Sequence, residues 1–172
     1  MSISNEQLPE ILSSDPPAVP SDVLDPVQMR RIEAVHRGFL YQHLFAVGCL
    51  LKLRDAGAHS LSVERDEDVE IAMPDRSLYY QIKTRAAVLN RGDVTGALRR
   101  FGEIRDAHNS GTREGIGEFR IIANVPPSAV LLSDLESDDW PADVQIRWSG
   151  GPRGHEDDPL PPPWSDLPEA VA

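Results

Sequence analysis

Glu64-Arg65-Asp66-Glu67-Asp68-Val69-Glu70-Ile71, followed by Leu78-Tyr79-Tyr80-Gln81-Ile82-Lys83, is the stretch whose reading decides the fold. Val69, Ile71 and Met73 alternate with Asp68, Glu70 and Ala72, the two-residue period of a strand with one apolar face. Leu78, Tyr80 and Ile82 alternate in the same way with Tyr79, Gln81 and Lys83. Between them, Pro74-Asp75-Arg76-Ser77 reads as a hairpin turn. Where the register allows it, pairing the two strands sets Asp68, Glu70, Gln81 and Lys83 on one face.

Six carboxylates fall between Glu64 and Asp75. Acids beside an amide and a lysine suit Mg²⁺-dependent cleavage of a phosphodiester. Mg²⁺ takes hard oxygen ligands and keeps several waters. It polarises phosphate and lowers the pKa of a bound water, and a neighbouring lysine can orient that water or offset charge on the phosphate. The same residues also fit a solvated hairpin face carrying surface ion pairs, each worth about 0–1 kcal/mol. Spacing alone does not separate the two readings.

Outward from this stretch, the chain alternates helices and strands. Residues 27 to about 55 follow a helical period, with Met29, Ile32, Val35 and Phe39 as a stripe that Leu40, Leu44, Val47, Leu50 and Leu51 continue. Gly38 would mark a bend there, and Gly57 a stop. Leu61-Ser62-Val63-Glu64 is expected as the first strand. Downstream, Asp93 would cap a helix running to about His108, with Val94, Ala97, Leu98, Phe101 and Ile104 inward. Phe119 to Asn124 reads as a buried strand, parallel to its neighbour because a helix intervenes. A short helix over 130–135 and an edge strand over 144–148 complete the expected α/β domain, a mixed sheet flanked by helices.

Composition bounds the function. At 172 residues there is room for one domain with a sizeable core. Nothing in the sequence reads as a signal peptide or a membrane span, and the single cysteine, Cys49, fits a reducing, cytoplasmic setting. The net charge of −11 would argue against a nucleic-acid partner. The acidity, however, sits in the flanks: residues 27–132 are net +2. Residues 1–26 are expected as a flexible acidic leader, 27–148 as the domain, and 149–172 as a Pro- and acid-rich tail or linker. Five arginines against two acids between 85 and 105 make Arg85, Arg91, Arg99 and Arg100 candidates for gripping phosphates, or simply a charged helix surface.

Gly38-Phe39-Leu40-Tyr41-Gln42, Glu64 with Asp68-Val69, Gln81-Ile82-Lys83, and Asp93-Val94 with Ala97-Leu98 and Phe101 together resemble the PD-(D/E)xK, or restriction-endonuclease-like, superfamily in its QxK variant. The closer likeness is to N-terminal nuclease domains of bacterial anti-phage effectors, including those fused to STAND-type NTPases, and it spans about residues 36–148. It implies a Mg²⁺- or Mn²⁺-dependent endonuclease acting on DNA, most naturally double-stranded. Asp68, Gln81, Lys83 and Glu64 would be catalytic, and Asp68, Gln81, Glu70 and Gln42 would hold the metal. It also implies a role in defence, a downstream NTPase or sensor domain or a partner protein, and oligomerisation. The alternative is a non-catalytic module of the same fold that binds nucleic acid or a partner.

Overall fold

Asp25 starts the first described element by accepting the N–H groups of Val27 (2.9 Å) and Gln28 (3.0 Å) at a helix whose first residue is proline. The computed structural model describes residues 25–152, 161 and 163–165. The expected leader, apart from Asp25 and Pro26, lies outside the described residues, as does most of the expected tail. The elements are α1 (Pro26–Lys52), β1 (Ser60–Val63), β2 (Val69–Ala72), β3 (Arg76–Lys83), α2 (Arg91–Asn109), β4 (Ile116–Ala123), α3 (Ala129–Leu135) and β5 (Val144–Trp148).

The five strands form one sheet in sequence order. β1, β2 and β3 are antiparallel neighbours, and β4 and β5 continue parallel to β3. The period-two reading therefore holds, and the helix between β3 and β4 makes that pair parallel. Register divides the sheet into two faces. Val69, Ile71, Leu78, Tyr80, Ile82 and Ile122 pack with Tyr41, Phe45, Ala46 and Cys49 of α1. On the opposite face Tyr79, Phe119, Ile121, Ala123, Val144 and Ile146 pack with Val94, Ala97, Phe101 and Ile104 of α2 and with Leu131 of α3. The result is a three-layer α/β/α arrangement with two cores. Phe119 lies between Tyr79, stacked at 5.4 Å, and Phe101 at 4.9 Å.

Three expectations need correction. The α1 stripe of Ile32, Val35, Phe39, Leu40, Val47, Leu50 and Leu51 is exposed, Leu51 by 78%. The buried residues of α1 begin only at Tyr41, and its buried face is Tyr41, Gln42, Phe45, Ala46 and Cys49. Gly38 makes no bend, since α1 runs unbroken through it. A Cβ there would stand 3.2 Å from Thr84 Oγ1, so the glycine permits close approach of helix and sheet. Finally, Asn90 and not Asp93 is the N-cap of α2. Asp93, at the third helical position, accepts the Asn90 N–H at 2.9 Å and pairs with Arg85 at 2.8 Å.

Part of the expected tail packs. Trp164 meets Tyr41 and Phe45 edge-on, with ring centroids 5.8 and 5.9 Å away, and its N–H and carbonyl both bond the Tyr41 hydroxyl at 2.9 Å. Among the described residues no helix is long and apolar enough to cross a membrane.

Two outcomes follow from this packing. Trp164→Ala should lower stability by about 2 kcal/mol, the cost of a half-buried aromatic lost from a core edge. An unchanged urea midpoint would show that the contact contributes nothing. Asp93→Ala should cost about 1 kcal/mol at neutral pH. The Asn90 N–H, with Arg85, holds the Asp93 carboxyl below its ordinary value of 3.8. A carboxylate depressed by folding contributes fully above its unfolded pKa, and the contribution fades as pH falls through the folded one. The gap between variant and wild type should therefore be constant above pH 5 and close below about 3.8; urea melts across that range check it.

Candidate active site

β2 begins only at Val69, opposite Tyr80, so the main chain of β2 offers no partner to the Ile82 N–H farther along β3. The side chain of Asp68 takes that place. Its Oδ2 accepts the Ile82 N–H at 2.6 Å and also the side-chain amide N–H of Gln81. Lys83 is the last residue of β3 and, by alternation, shares a face with Gln81 and Tyr79. The carboxyl end of a parallel strand is where open α/β sheets place their ligands. Among the described residues the Lys83 ammonium has no ion-paired or hydrogen-bonded partner.

Burial governs both charges. It pushes the Asp68 carboxyl up, against the lowering effects of the Ile82 N–H, the Gln81 amide and Lys83. It pushes the Lys83 ammonium down, against the raising effect of Asp68, while Arg85 adds repulsion. Each group therefore sits in a site that disfavours its charge in the absence of further ions.

The loop joining β1 and β2 allots its four acids to different tasks. Asp66 is structural: Arg113 bonds it at 2.5 Å and Arg100 at 3.1 Å, which ties the loop to α2 and to the segment before β4. Glu64 has φ of 57°, a left-handed conformation uncommon outside glycine, and accepts a hydrogen bond from Gln42 Nε2 at 2.7 Å. Gln42 also reaches the Asp68 carbonyl at 3.4 Å. Glu67 points inward. It is 7% exposed, its Oε1 has no hydrogen-bond partner, and the nearest cation, Arg100 Nε, stands 3.9 Å away. Burial first, then the adjacent Asp68, pushes its carboxyl up to about 7.

Sequence reasoning passed over Glu67. The signal was its place inside the acid run, but a loop has no period from which its direction could be read. Of the residues it did single out, the structure brings together Asp68, Gln81, Gln42 and Glu64, with Lys83 near Asp68. Asp68, Gln81 and Gln42 line a cavity of about 190 Å³ with Val35, Gly38, Phe39 and Thr84. Glu70 is elsewhere. It pairs with Tyr79, two residues back from the site, and lines a second cavity with Arg65, Tyr79, His108 and Arg113. The four candidate arginines all have carboxylate partners: Arg85 with Asp93, Arg91 with Asp134, Arg99 with Glu103, and Arg100 with Asp66 and Glu103.

The donors fit a hard divalent cation. They are all oxygens: the carboxylates of Asp68 and Glu67, with the amide oxygens of Gln81 and Gln42 nearby. The buried, partnerless Glu67 Oε1 is an atom that a cation would satisfy. Among the described residues no three His, Cys, Asp or Glu side chains converge as a complete cage. Mg²⁺ does not need one, since it binds through one or two carboxylates, waters and substrate phosphate.

A mixed five-stranded sheet between helix layers is consistent with a restriction-endonuclease-like, PD-(D/E)xK-type fold. The model of the family described as "Cap4, dsDNA endonuclease domain" matches residues 33–136, more than half of the chain, and the chain belongs to that family. The matched stretch contains Gln42, Glu64, Glu67, Asp68, Gln81 and Lys83. No curated protein and no solved structure matches the chain.

Gln42→Leu keeps the volume but removes the amide donor of the Glu64 carboxylate, while the Asp68 carbonyl keeps the Glu64 N–H at 3.3 Å. Stability should fall by about 1 kcal/mol, because Glu64 can turn to water. A denaturation curve identical to wild type would show that the amide does not hold this loop.

Proposed function

We propose that this domain is a metal-dependent endonuclease that hydrolyses phosphodiester bonds of double-stranded DNA. The observation that carries the reading is Asp68, fixed by Gln81 and the Ile82 N–H, beside Lys83, which has no paired acid among the described residues, and the buried Glu67 oxygen that lacks a hydrogen bond. Asp68 and Glu67 would hold Mg²⁺ or Mn²⁺, with the Gln81 carbonyl oxygen as a further donor. When bound, the ion supplies Lewis-acid polarisation of the phosphate and a more acidic water.

The chain's own residues do the rest. In hydrolysis a water oxygen joins phosphorus, one P–O ester bond breaks, the attacking water gives up a proton to solvent, and the departing ester oxygen takes one up to become a free hydroxyl. Lys83 Nζ offsets charge that builds on the phosphate oxygens and orients the attacking water. Its half-buried position raises the effect of that charge, because less water screens it. Gln81 keeps Asp68 turned toward the cavity. Gln42 and Glu64 hold the loop that carries Glu67 and Asp68.

The reading extends to anti-phage defence in the cytoplasm, with a sensor or NTPase domain or a partner protein controlling the cut and self-association accompanying it. Family membership supports the defence role, because nucleases of this kind serve it in the resembling effectors.

Lys83→Ala should lower nicking of plasmid DNA by about 10²–10³-fold while leaving the melting curve in place. Asp68→Asn should move the Mg²⁺ concentration for half-maximal cleavage upward by at least tenfold or end cleavage. Glu70→Gln should leave that concentration unchanged, since Glu70 faces the other cavity. A folded Lys83→Ala protein that nicks at the wild-type rate contradicts the assignment.

A further inference from the structure

The first fifteen residues of α1, 26–40, run ahead of its buried part: only Met29 and Gly38 among them are half-buried, and the others are exposed. At 1.5 Å per residue this half-helix is about 22 Å long. It carries Arg30, Arg31 and Arg37 against the single acid Glu33. Its base forms one wall of the candidate site, because Val35, Gly38 and Phe39 line the cavity with Asp68 and Gln81.

Arg31 precedes Gln42 by eleven residues, three helical turns. At about 100° per residue the two lie within about 20° of the same side, roughly 16 Å apart along the axis. Arg31 therefore continues the line of the active-site wall outward. At 3.4 Å per base step that distance is about five steps along a strand whose scissile phosphate sits at the cavity. Among the described residues Arg30 and Arg31 have no acid partner, unlike Arg85, Arg91, Arg99 and Arg100. Both also precede the family-matched stretch, which begins at residue 33.

We propose that this exposed half of α1 is an arm that follows the DNA backbone, with Arg30 and Arg31 gripping phosphates about half a helical turn from the cut. This rests on Asp68 and Lys83 marking the cleavage site. The charge complements a polyanion, and the arm's base already borders the place where the phosphate would react. Arg30 and Arg31 are positioning residues, too far from the reacting atoms to take part in the chemistry.

The test uses the full chain carrying Lys83→Ala, which separates binding from cleavage. Affinity for a short fluorescent duplex is measured from about 50 to 200 mM salt, the range over which phosphate contacts are screened. Adding Arg30→Ala and Arg31→Ala should reduce the log–log salt slope by about 1.8, at about 0.9 per lost phosphate contact. With Lys83 intact, the same pair should raise KM for cleavage at least fivefold and change kcat less than twofold. Lys52→Ala, at the other end of α1, should leave the slope unaltered. Unchanged slope and KM in the folded double variant overturn the arm. So does a protein that sediments as a dimer until Ile32→Glu and Phe39→Glu separate it, if Arg30 and Arg31 leave the slope untouched; the arm then packs against a second copy. A slope lowered by the two arginine substitutions, together with a wild-type chain that never cleaves DNA, upholds the arm and rejects the catalytic reading alone.

Discussion

The Asp68 carboxylate on the Ile82 N–H is the contact on which the rest of the site depends. β2 is too short to satisfy β3 along its whole length, and a buried N–H left without a partner costs about 1–3 kcal/mol. A side-chain carboxylate completes the ladder where the main chain has turned away. The same bond pins the loop from Glu64 to Asp68 to the carboxyl end of β3, where Gln81 and Lys83 emerge. Fold and site thus share one interaction. Strand pairing ends so that an acid can stand beside a lysine without a direct ion pair consuming both.

That arrangement leaves charge in unfavourable places. Burial pushes Asp68 and Glu67 up and Lys83 down, so attraction between the partners has not offset desolvation. Groups perturbed in this way cluster at functional sites. The surrounding ion pairs of Asp66 with Arg100 and Arg113, and of Arg105 with Asp143 at 2.5 Å, are ordinary structural ties by contrast. The two Asp66 pairs tie the β1–β2 loop to α2 and to the segment before β4 beside the site.

Much of this was legible in the sequence, for physical reasons. Val69, Ile71, Leu78, Tyr80 and Ile82 alternate because each strand presents one face to α1, and register then carries Glu70, Gln81 and Lys83 to the other face. The helix between β3 and β4 required a parallel pair. The pattern failed where it carries no information about neighbours. Ile32, Val35 and Phe39 keep helical spacing, yet all three stay exposed, Val35 and Phe39 at the open cavity beside Asp68 and Gln81. Glu67 sits in a loop, where direction depends on tertiary contacts rather than on a period. Trp164 lies in a Pro-rich segment whose composition hides one aromatic anchor on Tyr41 and Phe45. The Arg85, Arg91, Arg99 and Arg100 set was visible as charge, but only the fold shows an acid opposite each.

The most direct measurement of the central claim is a crystal of the protein grown with Mn²⁺ and mapped by anomalous scattering. The account requires a peak within coordination distance of an Asp68 carboxylate oxygen, about 2.2 Å, with Glu67 Oε1 turned toward the same ion. A peak confined to the Glu70 cavity, or none at saturating Mn²⁺ in the Asp68 cavity, would contradict it.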